Sequence, residues 1–203
     1  QPLVDELKNK ISNIKSIVNT INTKKSNIVS GTSKLLYGEE FINEKIGDYI
    51  FKISPNSFFQ TNSYQVKTLY DYILKTADFK KSDILYDLYC GTGTIGIYLA
   101  NHVKQVYGIE IIEDAIKDAK HNATTNHIDN INFHCGDLKD VLNSDIMSTI
   151  EKPNIIIVDP PRPGLHPNTV KNIIKLSPEK IIYVSCNPAT MARDIEILVS
   201  EQY

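Results

Sequence analysis

The sequence predicts an α/β protein built on a doubly wound, mostly parallel sheet, and three observations predict it. Five short apolar runs, ILYDLY (84–89), KQVYGI (104–109), INFH (131–134), NIIIV (154–158) and KIIYV (180–184), alternate with stretches of helical patterning. The last two runs are near-continuous Ile and Val, as strands covered on both faces require. Repetition of strand, helix, strand implies right-handed parallel crossovers.

The elements ahead of this alternation read differently. Leu7, Ile11, Ile14 and Val18 fall at helical spacing, which predicts one amphipathic helix over residues 3–18. From Asn27 to Ile53 the short runs IVS, KLLY, EEFI and DYIFKIS, separated by Gly31, Gly38 and Gly47, predict an antiparallel meander. A helix over 63–77 follows, with Val66, Leu69, Tyr70 and Ile73 on its inner face. Two units result: a lead-in of helix and meander over 1–53, part of a central domain, and a main domain over 54–203. The chain opens at Gln1 and stops on a helical pattern that has not met a strand, so it reads as a piece of a longer protein whose sheet lacks its final strands. An open sheet edge, with association through it, is the expected consequence.

Composition narrows the function classes. Across 203 residues, 41% hydrophobic and 23% charged side chains are those of an ordinary globular domain. No apolar run approaches bilayer length and no signal peptide opens the chain, so a cytoplasmic location is expected. Lys and Arg number 22 against 24 Asp and Glu, a net charge of −2, which is not the footprint of a dedicated nucleic-acid binder. Cys90, Cys135 and Cys186 lie 45 and 51 residues apart and form no CxxC pair; the five histidines show no ligand spacing with them, so no metal is expected. Cys90 reads as structural and Cys135 as buried.

In a doubly wound sheet, ligands bind beyond the carboxyl ends of the strands. The first run leads into Asp87-Leu88-Tyr89-Cys90-Gly91-Thr92-Gly93-Thr94-Ile95-Gly96, where glycines permit a tight turn and close approach to backbone amides. The second ends at Glu110, 19 residues after Gly91, where a carboxylate can accept both hydroxyls of a ribose. Gly91, Gly93 and Gly96 spell GxGxxG, so a nicotinamide dehydrogenase is one reading among proteins that bind an adenosine-containing cofactor. Asp137 follows the third run, where an acid can bond an adenine amino group. The fourth ends in Asp159-Pro160-Pro161-Arg162-Pro163-Gly164, whose prolines stiffen the backbone around Asp159 or simply stop the strand. The fifth ends in Ser185-Cys186-Asn187-Pro188, where Cys186 is either a nucleophile before a helix or a buried thiol.

The DLYCGTG form resembles motif I of the class I methyltransferases that use S-adenosylmethionine. SPNSFFQTN (54–62), DLYCGTGTIG (87–96), YGIE (107–110), DPPRPG (159–164) and VSCNPATMARD (184–194), in that order, resemble the RNA uridine C5-methyltransferases, over about residues 27–203. The resemblance implies the class I (Rossmann-like) fold, S-adenosylmethionine as cofactor and RNA as partner, with ribosomal RNA expected ahead of tRNA, and no obligate protein partner. It implies that Cys186 adds to C6 of a uracil, which makes C5 nucleophilic. A free thiol with a pKa of ~8.5 is little ionised at neutral pH, so the site has to lower that value or align the attack. The resemblance also implies cofactor contacts from Gln60, Tyr89, Gly91, Gly93, Thr94, Glu110 and Asp159; Asp137 joins them on its position, and Asp159 facing the uracil edge stays open. Arg162 and Arg193 are either phosphate contacts or solvated and capping residues. In the family a glutamate beyond the SCNP helix removes the C5 proton. Glu196 and Glu201 do not occupy that motif, so this piece is expected to bind cofactor and turn over poorly. A methyltransferase acting on an amino group and a non-catalytic RNA-binding module are the rival readings.

Overall fold

The computed structural model describes residues 2–22 and 31–200. The chain enters through helix α1 (Pro2–Lys10), and the helix expected over 3–18 ends there. Ser12 and Asn13 turn the chain into strand β1 (Ser16–Ile21), which pairs antiparallel with β2 (Thr32–Gly38). The β-branched Ile17, Val18, Thr20 and Ile21 lose little on a pleated surface and more on a helix, so the strand wins once a partner is present. KLLY lies within β2, whereas the IVS run lies outside the described residues. EEFI is not a strand: Gly38, at φ +77, turns the chain, and β3 (Ile42–Ile46) begins only at Ile42. β4 (Tyr49–Ile53) falls within DYIFKIS and returns along β3 through a Gly47-Asp48 turn. The expected meander is therefore two separate two-stranded sheets.

Helix α2 (Ser63–Ala77) follows, capped by Asn62 and burying Val66, Tyr70, Ile73 and Ala77. Then β5 (Ile84–Leu88), α3 (Thr94–Ala100), β6 (Gln105–Glu110), α4 (Glu113–Thr125), β7 (Ile131–Cys135), the one-turn helices α5 (Leu138–Val141) and α6 (Ile146–Thr149), β8 (Ile155–Val158), α7 (Pro167–Leu176), β9 (Lys180–Tyr183) and α8 (Pro188–Ser200) build the main layer. The five strands β5 to β9 are all parallel, in the order β7-β6-β5-β8-β9, so the chain reverses direction across the sheet between β5 and β8. Side chains alternate between two cores. Leu85, Val106 and Ile157 pack with α2, α3 and α4, while Tyr86, Tyr107, Ile109 and Val158 pack with α5, α7 and α8. Ile46 and Phe51 of the β3–β4 hairpin lie in the first of these cores.

The hairpin is also tied to α4 by an unusual set of bonds. Ile50, Lys52 and Ser54 present their backbone groups on the edge of β4 away from β3. Asn126 accepts from Ile50 N at 2.9 Å and donates to Ile50 O at 2.7 Å. Asn122 accepts from Lys52 N at 2.7 Å and donates to Lys52 O at 3.1 Å, and it also donates to Thr92 O at 3.1 Å. Asp118 accepts from Ser54 N, Ser54 Oγ and Ser57 Oγ, each at 2.8 Å. Each asparagine amide stands in for a peptide unit of a neighbouring strand. Among the described helices, none is long and apolar enough to cross a membrane.

Asn122 and Asn126 each have three backbone partners, since Asn126 also donates to Asn122 O at 2.8 Å, but Asn122 is fully buried and Asn126 is half-exposed, so removing Asn122 should cost more. Asn122→Ala is expected to lower unfolding free energy by about 2–4 kcal/mol and Asn126→Ala by about 1 kcal/mol. Equal losses in urea titrations would show that the ladder does not carry the hairpin.

Candidate active site

The turn after β5 begins under strain. Tyr89 sits at φ +65, a left-handed conformation uncommon for a side chain of this size, with its ring half-buried against the second core. Gly91 and Gly93 follow, also at positive φ. Their roles differ. A Cβ on Gly91 would meet only Phe58 O, at 3.6 Å, so this glycine leaves the backbone open, whereas a Cβ on Gly93 would stand 2.9 Å from the Phe133 ring. Gly93 thus serves the packing beneath the turn. Thr94 is buried and its hydroxyl is bonded to Tyr70 OH at 2.8 Å, under the start of α3.

Two carboxylates hold this turn from opposite sides. Asp87 is fully buried and accepts from Gly96 N at 2.8 Å, while its Oδ1 has no partner. Burial pushes its carboxyl up to about 7, and the nearby Asp159 and Glu110 push the same way against the Gly96 bond. Glu110, at the end of β6, accepts from Gly91 N at 3.1 Å through Oε2 and from Ile111 N and Ile112 N at 2.7 and 2.9 Å through Oε1. Three backbone donors fix its orientation and leave room for one further donor on a group with about four acceptor sites. Asp159, at the end of β8, accepts from Gln60 Nε2 at 2.8 Å, and burial raises it to about 6. That bond joins SPNSFFQTN to DPPRPG. Asp137, at the end of β7, instead caps α5 by accepting from Lys139 N at 3.1 Å and pairs with Lys139 Nζ at 3.1 Å. Burial opposes its ionisation, but the Lys139 bonds prevail and hold it below the usual carboxylate range.

Cys186 is exposed, on the turn between β9 and α8, immediately before Asn187, whose Oδ1 accepts from Ala189 N at 3.2 Å. Ser185 and Asn187 are bonded to one another on either side of the thiol, at 2.9 and 3.0 Å. Cys90 is buried, and its burial, with Asp87 and Glu110 beside it, raises the thiol well above its usual range. Cys135, expected buried, is exposed: it shares a strand face with Ile131 and Phe133 but lies at the rim of an edge strand, past the covering helices. The structure thus brings Gln60, Gly91, Glu110 and Asp159 to one rim of the sheet, engages Thr94 and Asp137 in local bonds, and sets Cys186 one strand over from Asp159.

Several residues escaped sequence reasoning. Asp118, Asn122 and Asn126 recur every four residues on α4, a polar stripe legible in EDAIKDAKHNATTN but without an assigned partner. Phe58, two residues before Gln60, is 68% exposed. Arg193 is held along one edge, its Nε and Nη2 bonded to Asp194, Pro163 O and Leu165 O, with the side chain half exposed.

A parallel sheet reversing between β5 and β8, with a glycine turn and acidic residues on adjacent strand ends, defines a class I methyltransferase domain. More narrowly, the chain belongs to the tRNA (Uracil-5-)-methyltransferase family, whose sequence profile matches residues 1–202. It is 44% identical over 190 residues to an uncharacterised RNA methyltransferase of Chlorobaculum tepidum, covering 93% of this chain and 39% of that protein. A second, of Oceanobacillus iheyensis, is 44% identical over 197 residues, with 97% and 43% covered. Among solved structures, the Pyrococcus abyssi tRNA (uracil-54, C5)-methyltransferase in complex with S-adenosyl-L-homocysteine superposes with a TM-score of 0.74 at 39% identity, covering 94% of this chain and 46% of that one. The tRNA m1G37 methyltransferase of M. jannaschii, at 20% identity, TM-score 0.62 and 95% and 57% coverage, shares the fold. The chain spans about two-fifths of the length of these curated relatives.

The raised Asp87 carboxyl has a sign that can be checked. A folded-state value near 7 against an unfolded one near 4 means that the folded protein binds this proton more tightly, so stability falls as pH rises from about 4 to about 7. Asp87→Asn keeps an acceptor for Gly96 N and removes the titration. Between pH 5 and 8 the wild type is expected to lose on the order of 2 kcal/mol more than the variant, read from urea midpoints. Parallel profiles would place the charged form in a solvated setting.

Proposed function

We propose that the protein containing this chain transfers a methyl group from S-adenosylmethionine to C5 of a uridine in RNA through a covalent bond between Cys186 and C6. The observation that carries this reading is the exposed Cys186 thiol on a tightly bonded turn, one strand from the Asp159–Gln60 pair. The residues present fit the cofactor. Gly91 leaves its backbone open, Glu110 retains acceptor capacity, and a buried carboxyl oxygen of Asp87 lacks a partner. Among the described residues, Asp87, Glu110 and Asp159 form no ion pair, so this rim favours a cation such as a sulfonium and disfavours the pyrophosphate of a dinucleotide. Gln60, Tyr89, Gly91, Gly93, Thr94, Glu110, Asp137 and Asp159 are the proposed cofactor residues, Gly93 and Thr94 through the backbone they shape and Asp137 if it exchanges its α5 cap for the ligand.

Cys186 Sγ adds to C6 as thiolate, and the C5–C6 electron pair moves onto C5 and O4. S-adenosylmethionine supplies the electrophilic methyl group that C5 takes up. Loss of the C5 proton to a base restores the double bond and expels the thiolate. The target base has to leave its stack at a cost of a few kcal/mol, so a loop or bulge uridine is the proposed substrate. Ribosomal RNA remains the first substrate to test, with tRNA beside it because the P. abyssi neighbour is by name a tRNA enzyme. Glu196 is exposed on α8, and the proposed base is a glutamate of the full-length protein rather than of these residues.

Calorimetric titration of the 203-residue chain with S-adenosylhomocysteine is expected to show binding that Glu110→Ala weakens at least tenfold, with none to NAD; NAD binding would return the dehydrogenase reading. Full-length protein is expected to be trapped by 5-fluorouridine RNA, and Cys186→Ser protein to escape. Methylation that survives Cys186→Ser would reject the covalent route.

A further inference from the structure

The loop after β8 and the turn after β9 carry the two halves of the proposed chemistry, Asp159 and Cys186, and they are bound to each other peptide by peptide. Asn187 Nδ2 and Thr190 Oγ1 donate to Arg162 O at 3.1 and 3.2 Å. Arg193 Nη2 donates to Pro163 O at 3.0 Å and to Leu165 O at 3.4 Å. Asp194, 1% exposed, accepts from Leu165 N and from Tyr183 OH at 2.7 Å each through Oδ2, and from Arg193 Nε and Nη2 at 2.9 and 2.7 Å through Oδ1. One buried carboxylate thus joins the β8 loop, strand β9 and helix α8. Between Pro163 and Leu165 stands Gly164, at φ +81, and a Cβ there would lie 2.5 Å from Asp194 Oδ2 and 2.7 Å from Arg193 Nη2. The backbone has closed onto the pair until only glycine fits.

The geometry points to Arg193 and Asp194 as positioning residues that fix the Cys186 turn against the Asp159 loop and so hold the thiol in line for attack on the uracil. This rests on the reading of Cys186 as the nucleophile. The Nε and Nη2 edge of the guanidinium is engaged by the Asp194 carboxylate and two carbonyls, which is a use of its planar geometry that lysine cannot reproduce, while Nη1 stays on the half-exposed side. A site of this kind depends on the rigidity of its supports, and a displacement of about 1 Å at the reacting atom costs about 100-fold in rate. The phosphate-contact alternative for Arg193 would run through Nη1, and it predicts a change in RNA affinity rather than in the saturating rate.

The test uses the full-length protein in wild-type, Arg193→Lys, Asp194→Asn and Cys186→Ser forms. Three quantities are read: the single-turnover rate of adduct formation with 5-fluorouridine RNA at saturating RNA, the Kd for that RNA against salt concentration, and the Kd for S-adenosylhomocysteine. Positioning predicts a saturating adduct rate about 10- to 100-fold lower in Arg193→Lys and Asp194→Asn, with both affinities within about twofold of wild type. Unchanged adduct rates would overturn it. A weaker RNA Kd with a shallower salt dependence and an unchanged saturating rate would overturn it in favour of a phosphate contact. Loss of S-adenosylhomocysteine affinity in parallel with the rate would also overturn it, as the mark of general loosening. Half-exposed Arg193 carries the test if Asp194→Asn does not fold. Absence of adduct in the wild type, by contrast, would reject the Cys186 reading itself.

Discussion

Side chains of α4 complete the free edge of β4, and the placement of the loop that carries Gln60 follows from this substitution of a helix for a strand. Successive rungs sit four residues apart on the helix, about 6 Å of rise, and two apart on the strand, about 6.7 Å. The mismatch is small enough for side-chain torsions to absorb over three rungs. Asparagine serves where the strand offers both N–H and C=O, at Ile50 and Lys52. Aspartate takes over at Ser54, whose carbonyl is already used by Ser57 N, so that only donors remain for it to meet. With residues 50–57 held in this way, Gln60 reaches Asp159 across 99 residues of sequence.

Charge at the sheet rim is arranged by burial rather than by counter-ions. Asp87, Glu110 and Asp159 end three adjacent strands, and their partners are backbone N–H groups and one amide. Such partners orient a carboxylate without neutralising it. The remaining strain is shed by protonation, which is why Asp87 and Asp159 sit near 7 and 6 instead of near 4. A cationic ligand would relieve the same strain. The glycine turn alone leaves the nature of the ligand open; the uncompensated acidity around it argues for positive charge.

The second rim, around Cys186, is built on different physics. Here a buried carboxylate is fully supplied with donors, and the arginine beside it shares the load with two carbonyls. Such a network holds because each member is satisfied, and it keeps an exposed thiol on a stiff support. The first rim leaves acceptor capacity open at Glu110 and an unpartnered oxygen on Asp87, whereas at the second the buried carboxylate is fully supplied.

Much of this was present in the order of residues. Apolar runs of four to six residues placed all five parallel strands to within a residue or two, and β5, β6 and β8 are buried on both faces as such runs require, whereas KIIYV, expected to be covered on both faces, forms the edge strand β9 and is only partly buried along its length. The glycine turn, Glu110, Asp159 and Cys186 stood at strand ends, where this fold binds ligands. The helix expected over residues 3–18 fails from residue 11 to residue 18 because helical spacing of Ile14 and Val18 coexists with a β-branched alternation, and only the presence of β2 resolves the tie. Cys135 was misplaced because its exposure depends on how far the helices extend over an edge strand. Local pattern thus determined which segments are strands and which strand ends carry the glycine turn, the acidic residues and the exposed thiol. Tertiary structure decided which polar side chains pair across 60 to 100 residues, as Asp118 does with Ser54 and Gln60 with Asp159. The physical reason is that periodicity is a property of neighbours along the chain, whereas a hydrogen bond belongs to neighbours in space.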